Sequence, residues 1–173
     1  NSNASENGAL TGTCTGFDLL DNKGGLQGGN LVIIAGATSQ GKTSFANSIS
    51  LNAIKTGKKD AVYSMEMPKK EIASRIVSSA SRISSSKLLY SPLSEGEFML
   101  MDRGVGSLND CMKNLFFDDR STSNIDTILS SIRSMKIKHG IDGAIIDYLQ
   151  ILNVNMKNQN KEQAMGDVAR RLK

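Results

Sequence analysis

The sequence predicts an α/β domain, a parallel twisted sheet with helices on both faces, built around a phosphate-binding loop. Three observations carry this expectation. Short unbroken apolar runs rich in β-branched residues read as strands buried on both faces. Amphipathic stretches of helical period lie between them. A glycine-rich segment ending in Gly41-Lys42-Thr43 stands where the first such run gives way to the first such helix. Strands alternating with helices are the pattern of a parallel sheet, because each crossover lays a helix on a face. At 173 residues the chain suits one domain with its own core.

Taken in order, Asn1 to Gly8 carry almost no apolar side chains. Residues 1–9 are therefore read as a disordered tail or residues left by cloning, and 10–173 as the domain. Leu31-Val32-Ile33-Ile34-Ala35 is the predicted first core strand. From Ser44 to Lys55 the residues Phe45, Ala46, Ile49, Ala53 and Ile54 form one helical stripe, which Gly57 is placed to end through a left-handed cap. Asp60 to Met65 reads as the next strand. After Pro68, a favoured first helical residue, Ile72, Ala73, Ile76, Val77, Ala80 and Ile83 repeat at helical spacing. Between Ser84 and Asp110 the pattern is poor, and short helices and turns are expected. Leu115-Phe116-Phe117 is a third strand, and Ser123 a cap for a helix whose stripe is Ile125, Ile128, Leu129, Ile132 and Met135, ending at His139 and Gly140. Ala144-Ile145-Ile146 is the fourth strand. The methionines read as core filling.

Composition excludes several classes. Lys and Arg number 21 against 17 Asp and Glu, a net charge of +4 that permits contact with a polyanion without requiring it. Cys14 and Cys111 are far apart and the chain has one histidine, so neither a disulfide framework nor a zinc site is expected, and a reducing cytoplasm is the expected compartment. The longest apolar run, Leu31 to Ala35, is far below the roughly 20 residues that span a bilayer, and nothing resembles a signal peptide, so a soluble protein without membrane partners is expected.

Gly36-Ala37-Thr38-Ser39-Gln40-Gly41-Lys42-Thr43 fits G-x-x-x-x-G-K-[ST] and is the strongest chemical signal in the chain. Glycine lets the backbone wrap closely enough for its N–H groups, from Gly36 through Ser39, Gln40 and Gly41 to Ser44, to face phosphate oxygens. The positive end of the following helix points at the same anion, Lys42 adds a point charge near the β- and γ-phosphates, and the Thr43 hydroxyl suits Mg²⁺. The cofactors expected are ATP and Mg²⁺. Asp147 ends the fourth strand as a Walker B carboxylate would; alone it reads equally as the cap of the following turn, and the phosphate loop favours the metal-binding role. Glu66 follows the strand that ends near Met65, on the same carboxyl edge. From position it is either a base for the attacking water or a solvated helix-start carboxylate. Asp118 and Asp119 read as neutral caps, and His139 as a favourable charge at a helix end.

The same residues form a wider pattern. Thr15-Gly16-Phe17-Asp18, Leu20-Asp21, Gly24-Gly25-Leu26-Gln27, the phosphate loop, Ser64-Met65-Glu66-Met67 and Asp147-Tyr148-Leu149-Gln150 resemble the carboxyl-terminal ATPase domain of DnaB-type replicative helicases, from about Thr15 to Lys173. The leading Thr-Gly-Phe and Gly-Gly-Leu also resemble KaiC and the RadA recombination proteins, whereas the Glu66 segment and Asp-Tyr-Leu-Gln resemble the DnaB branch. The resemblance implies a RecA-like P-loop fold and an ATP-driven motor of a homo-hexamer that translocates on single-stranded DNA and unwinds duplex, in contact with a primase and a helicase loader. The alternative is a KaiC- or RadA-like nucleotide-dependent assembly or recombination ATPase. The DnaB resemblance makes Glu66 the general base, Asp147 the metal ligand and Gln150 a sensor of the γ-phosphate. It also implies that later strands, a DNA-binding loop and an arginine finger lie beyond Lys173, the fold being truncated there, and that a helical domain precedes the chain. Ala37 and Thr38 depart from the family's usual Arg-Pro pair, and Ser84 to Leu108 does not follow its pattern. The polar loop from Asn153 to Lys161, which carries Lys157 and Lys161, is expected either to contact the DNA backbone or to be an ordinary solvated surface loop.

Overall fold

Strand β1, Asp60–Ser64, is buried at every position, and the other elements are arranged around it. The computed structural model describes residues 10–37, 39–65, 67–118, 124–147, 166 and 170. Ahead of β1 come the short helix α1, Asp18–Asp21, and α2, Lys42–Lys55. After it follow α3, Lys69–Ser81; α4, Ser85–Tyr90; α5, Glu95–Met112; β2, Leu115–Asp118; α6, Ile125–His139; and β3, Gly143–Asp147. The strands form a parallel sheet in the order β2-β1-β3. In this register Tyr63 stands opposite Asp118, and Ser64 opposite Asp147. The three carboxyl ends therefore share one edge.

Alternation along β1 sorts the core into two layers. Val62 faces Leu51 and Ile54 of α2, Ile72 and Ile76 of α3, and Leu108 of α5, with Phe117 and Ile145 beside it. Ala61 and Tyr63 face Ile125 and Ile128 of α6, with Phe116 and Ile146 beside them. Successive strand residues point to opposite faces, so a three-stranded parallel sheet needs helices on both. The expected layering is present.

Most local signals hold. Gly57 takes φ 86° just past α2, and Gly140 takes φ 68° as the carboxyl cap of α6. Pro68 is extended and precedes α3 rather than opening it, since a residue at ψ 148° stands outside the helix. Helix α3 stops at Ser81 because Arg82 turns left-handed at φ 60°; Ile83, expected within the helix stripe, is buried just beyond it.

Four expectations change. Leu31 to Ala35 is not a strand: residues 31–37 carry no regular structure, and Val32 and Ile33 are 53% and 58% exposed. Strand preference expresses fit to a paired, half-buried surface, and no ladder among the described residues includes this run. The poor pattern from Ser84 to Asp110 conceals the 18-residue α5, opened by a reciprocal capping box between Ser94 and Glu97. Gly104 weakens the helical pattern there, but a Cβ at this position would press on the backbone of Ser81, so glycine is what lets α5 approach the end of α3. The amino cap of α6 is Asn124, whose side chain accepts from the N–H of Asp126, one residue on from the expected Ser123, which lies outside the described residues. Met67 and Met112 do fill core gaps, but Met99 is 62% exposed.

Candidate nucleotide site

The phosphate loop leads into α2 through two left-handed residues. Gly41, the amino cap, has φ 80°, and Ser39 has φ 63°. A non-glycine residue in that region is uncommon and marks a backbone held in a special shape. The Nζ of Lys42 turns back along the loop and donates to the carbonyls of Gly36, at 3.0 Å, and Ala37, at 2.8 Å. The lysine thus lies along the inside of the loop, and Gly36, Ser39, Gln40, Gly41 and Ser44 are all exposed to solvent. Thr43 and Ser44 occupy the first turn of α2, where unpaired N–H groups and the helix dipole favour an anion.

The second half of the site lies at the carboxyl edge of the sheet. Asp147 ends β3 half-buried, and its carbonyl accepts from the N–H of Met65 at 2.9 Å. The N–H of Met67 donates to the Ser64 hydroxyl at 3.1 Å. Met65 is therefore tied to the end of β3, and Met67 to the end of β1. Glu66 itself lies outside the described residues, as do Thr38, Asp119, Gln150, Lys157 and Lys161. Among the described residues, Asp147 makes no hydrogen bond or ion pair with Lys42 or Thr43.

Asp118 ends β2 half-buried. Its Oδ2 accepts from the Ser131 hydroxyl at 2.7 Å, and the Tyr63 hydroxyl is 3.3 Å from the same serine oxygen, so a buried polar link joins β2, α6 and β1 below the carboxyl edge. His139 closes α6 as expected and stacks on Phe116 at 4.5 Å between ring centroids.

The amino-terminal signature has a physical purpose that sequence reading left unassigned. The Asp21 carboxylate accepts from the N–H and hydroxyl of Thr15, each at 2.8 Å, and from the N–H of Gly16 at 2.9 Å. These bonds, led by the Thr15 N–H, hold its pKa down to about 2. Thr15 is fully buried; its carbonyl accepts from Asn52 of α2 at 2.8 Å, and Phe17 packs on Phe45 of α2 at 4.7 Å between centroids. A Cβ on Gly16 would collide with Asn52. The Thr-Gly-Phe turn is therefore a brace on the outside of the phosphate-loop helix. The six-residue interval from Thr15 to Asp21 carried the signal, as a side chain capping a preceding turn.

The family model of the DnaB-like helicase C terminal domain matches residues 12–173. A curated relative, the replicative DNA helicase DnaB of Geobacillus stearothermophilus, is 30% identical over 169 residues, covering 96% of this chain and 37% of its own length. The chain thus spans little more than a third of that relative. A second, the replicative DNA helicase DnaB of Helicobacter pylori, is 32% identical over 166 residues, covering 95% of this chain and 34% of its own length. Among solved structures, a DnaB-like replicative helicase, described together with its interactions with primase, superposes with a TM-score of 0.82 at 27% identity, over 97% of this chain and 42% of that one. Another, described as an ATPase domain, gives a TM-score of 0.80 at 28% identity, over 97% of this chain and 63% of that one.

Proposed function

The chain belongs to the DnaB-like helicase C terminal domain family, with the RecA-like fold of its structural neighbours, and from that premise we propose that it is the ATP-hydrolysing motor domain of a hexameric replicative DNA helicase. The observation that carries the proposal is the phosphate loop itself: left-handed Ser39 and Gly41, the open first turn of α2 and Lys42 laid along the loop interior. A nucleoside triphosphate would exchange the Lys42 contacts with the Gly36 and Ala37 carbonyls for contacts to its β- and γ-phosphate oxygens. The N–H groups from Ser39 to Ser44 would cradle the same phosphates.

A hydroxyl and a carboxylate are the hard oxygen donors that Mg²⁺ accepts, and Thr43 and Asp147 supply them from the start of α2 and the end of β3. When bound, Mg²⁺ neutralises charge developing on the phosphates. Glu66 takes the proton of the attacking water, supported by its place in the sequence two residues past Ser64, the end of β1, which stands opposite Asp147 across the register. Gln150, three residues past Asp147, relays the γ-phosphate state to the segment that contains Lys157 and Lys161, which contacts the backbone of single-stranded DNA. The parent assembly is a homo-hexamer of the replication machinery in the cytoplasm, meeting a primase and a loader. No described helix is long and apolar enough to cross a membrane.

The test separates binding from chemistry. Calorimetric titration of this chain with ATP and Mg²⁺ is expected to show binding that Lys42→Ala abolishes; equal affinity in both would rule the loop out as the nucleotide site. In a polypeptide extended to the length of its relatives, Glu66→Gln is expected to keep ATP binding and to slow single-turnover hydrolysis by about 10²-fold or more. Unchanged hydrolysis would remove Glu66 from the chemistry.

A further inference from the structure

Arg75 stands on α3 and reaches the first turn of α2. Its Nη1 donates to the hydroxyl of Ser44, in the first turn of α2, at 3.3 Å, and its Nη2 pairs with Glu71, one turn earlier on α3, at 3.1 Å. Its Nε is buried and bonds no other described residue. The guanidinium is thus fixed by two partners on two different helices. One of these helices follows the phosphate loop; the other begins at Lys69, two residues past Met67, whose N–H is held by Ser64 at the end of β1.

We propose that Arg75 is a positioning residue of the nucleotide site, registering α3 against the phosphate loop through Ser44 of α2. The physical reason lies in the shape of the side chain. A planar guanidinium can hold a hydroxyl and a carboxylate at once in a fixed geometry, which an ammonium on a flexible stem does not do. Glu71 fixes the guanidinium on α3, so a shift of α3 relative to α2 must break the Ser44 bond or the ion pair.

The inference rests on the proposed nucleotide site, and the experiment keeps the two apart. ATP with Mg²⁺ is titrated into the wild-type chain and into Lys42→Ala, Arg75→Ala, Ser44→Ala and the Arg75→Ala, Ser44→Ala pair, with the thermal midpoint of each followed in parallel. Arg75→Met retains the apolar stem and serves if the alanine variant does not fold. The expected result is an affinity loss of about two- to fivefold in each single variant, the scale of a half-exposed charged contact. The double variant is expected to lose no more than the worse single one, because both remove the same bridge. Arg75→Lys should not restore affinity, whereas a role of charge alone predicts that it would. Additive losses, rescue by lysine, or wild-type affinity in Arg75→Ala while Lys42→Ala fails would each overturn the proposal. Absence of ATP binding by the wild type would overturn the nucleotide site itself, and Arg75's role with it.

Discussion

Asp60 shows how one side chain sets a pH dependence far from the chemistry. It opens β1 at the amino edge of the sheet, only 6% exposed, with its carboxylate over Gly143, where a Cβ would collide with it. Burial pushes its pKa above the ordinary carboxylate value of 3.8, and the neighbouring charge of Asp142 adds to the rise. A carboxyl whose folded pKa is raised binds its proton more tightly in the folded state. Stability therefore falls as pH rises from about the unfolded value through the raised one, and stays lower above it. Asp60→Asn removes the ionisation and keeps the size. Its melting temperature is expected to exceed that of the wild type at about pH 7, with the difference shrinking toward about pH 4. Thermal scans across that range check it, and a variant less stable than wild type at neutral pH would mean that neighbouring groups favour the charged carboxylate.

Helix α5 illustrates an element whose stability comes from its ends and its contacts more than from its composition. The Ser94 hydroxyl takes the N–H of Glu97 while Glu97 takes that of Ser94, and Lys87 of α4 bonds the same glutamate and, with Ser94, holds its pKa at about 2. Of the three glycines in α5, Gly104 and Gly106 lie in its interior and each cost about 1 kcal/mol of helix propensity relative to alanine. The capping box offsets part of that. Ser94→Ala is expected to destabilise the protein by about 1 kcal/mol. Chemical denaturation read by circular dichroism measures it; a loss below a few tenths of a kcal/mol would show that packing on α3 alone holds the helix start.

At the scale of the molecule, β1 couples two cores that lie on its opposite faces. Ile54 lies on one side, 1% exposed, and Ile128 on the other, 2% exposed. Because alternate residues of the same five-residue strand belong to the two layers, neither layer can open without exposing the other face of the sheet. Ile54→Ala and Ile128→Ala are each expected to cost about 2–4 kcal/mol and to move a single unfolding transition. Unfolding is followed by far-ultraviolet dichroism and tyrosine fluorescence together, the chain having no tryptophan. Transitions that separate in either variant would show that the layers unfold independently.

Local structure was legible in the residues themselves. The phosphate loop, the stripe of α2, the left-handed glycines after α2 and α6, and the apolar runs that became β1, β2 and β3 each depend on neighbours a few positions away, and short-range patterns record such dependence directly. Other features depended on partners distant in sequence, and no local pattern could reveal them. Leu31 to Ala35 has the composition of a core strand, yet a strand exists only where a ladder accepts it, and no described ladder includes this run. Gly104 lowers the helix propensity of α5, and only the close backbone of Ser81 gives glycine a reason there. The Ser131 bond to Asp118 and the Tyr63 bond to that same Ser131 join residues 13 and 68 positions apart. Arg75 is an ordinary helical arginine in the sequence, and only the packing of α3 beside α2, 31 residues apart at the Ser44 contact, brings its guanidinium to the first turn of α2.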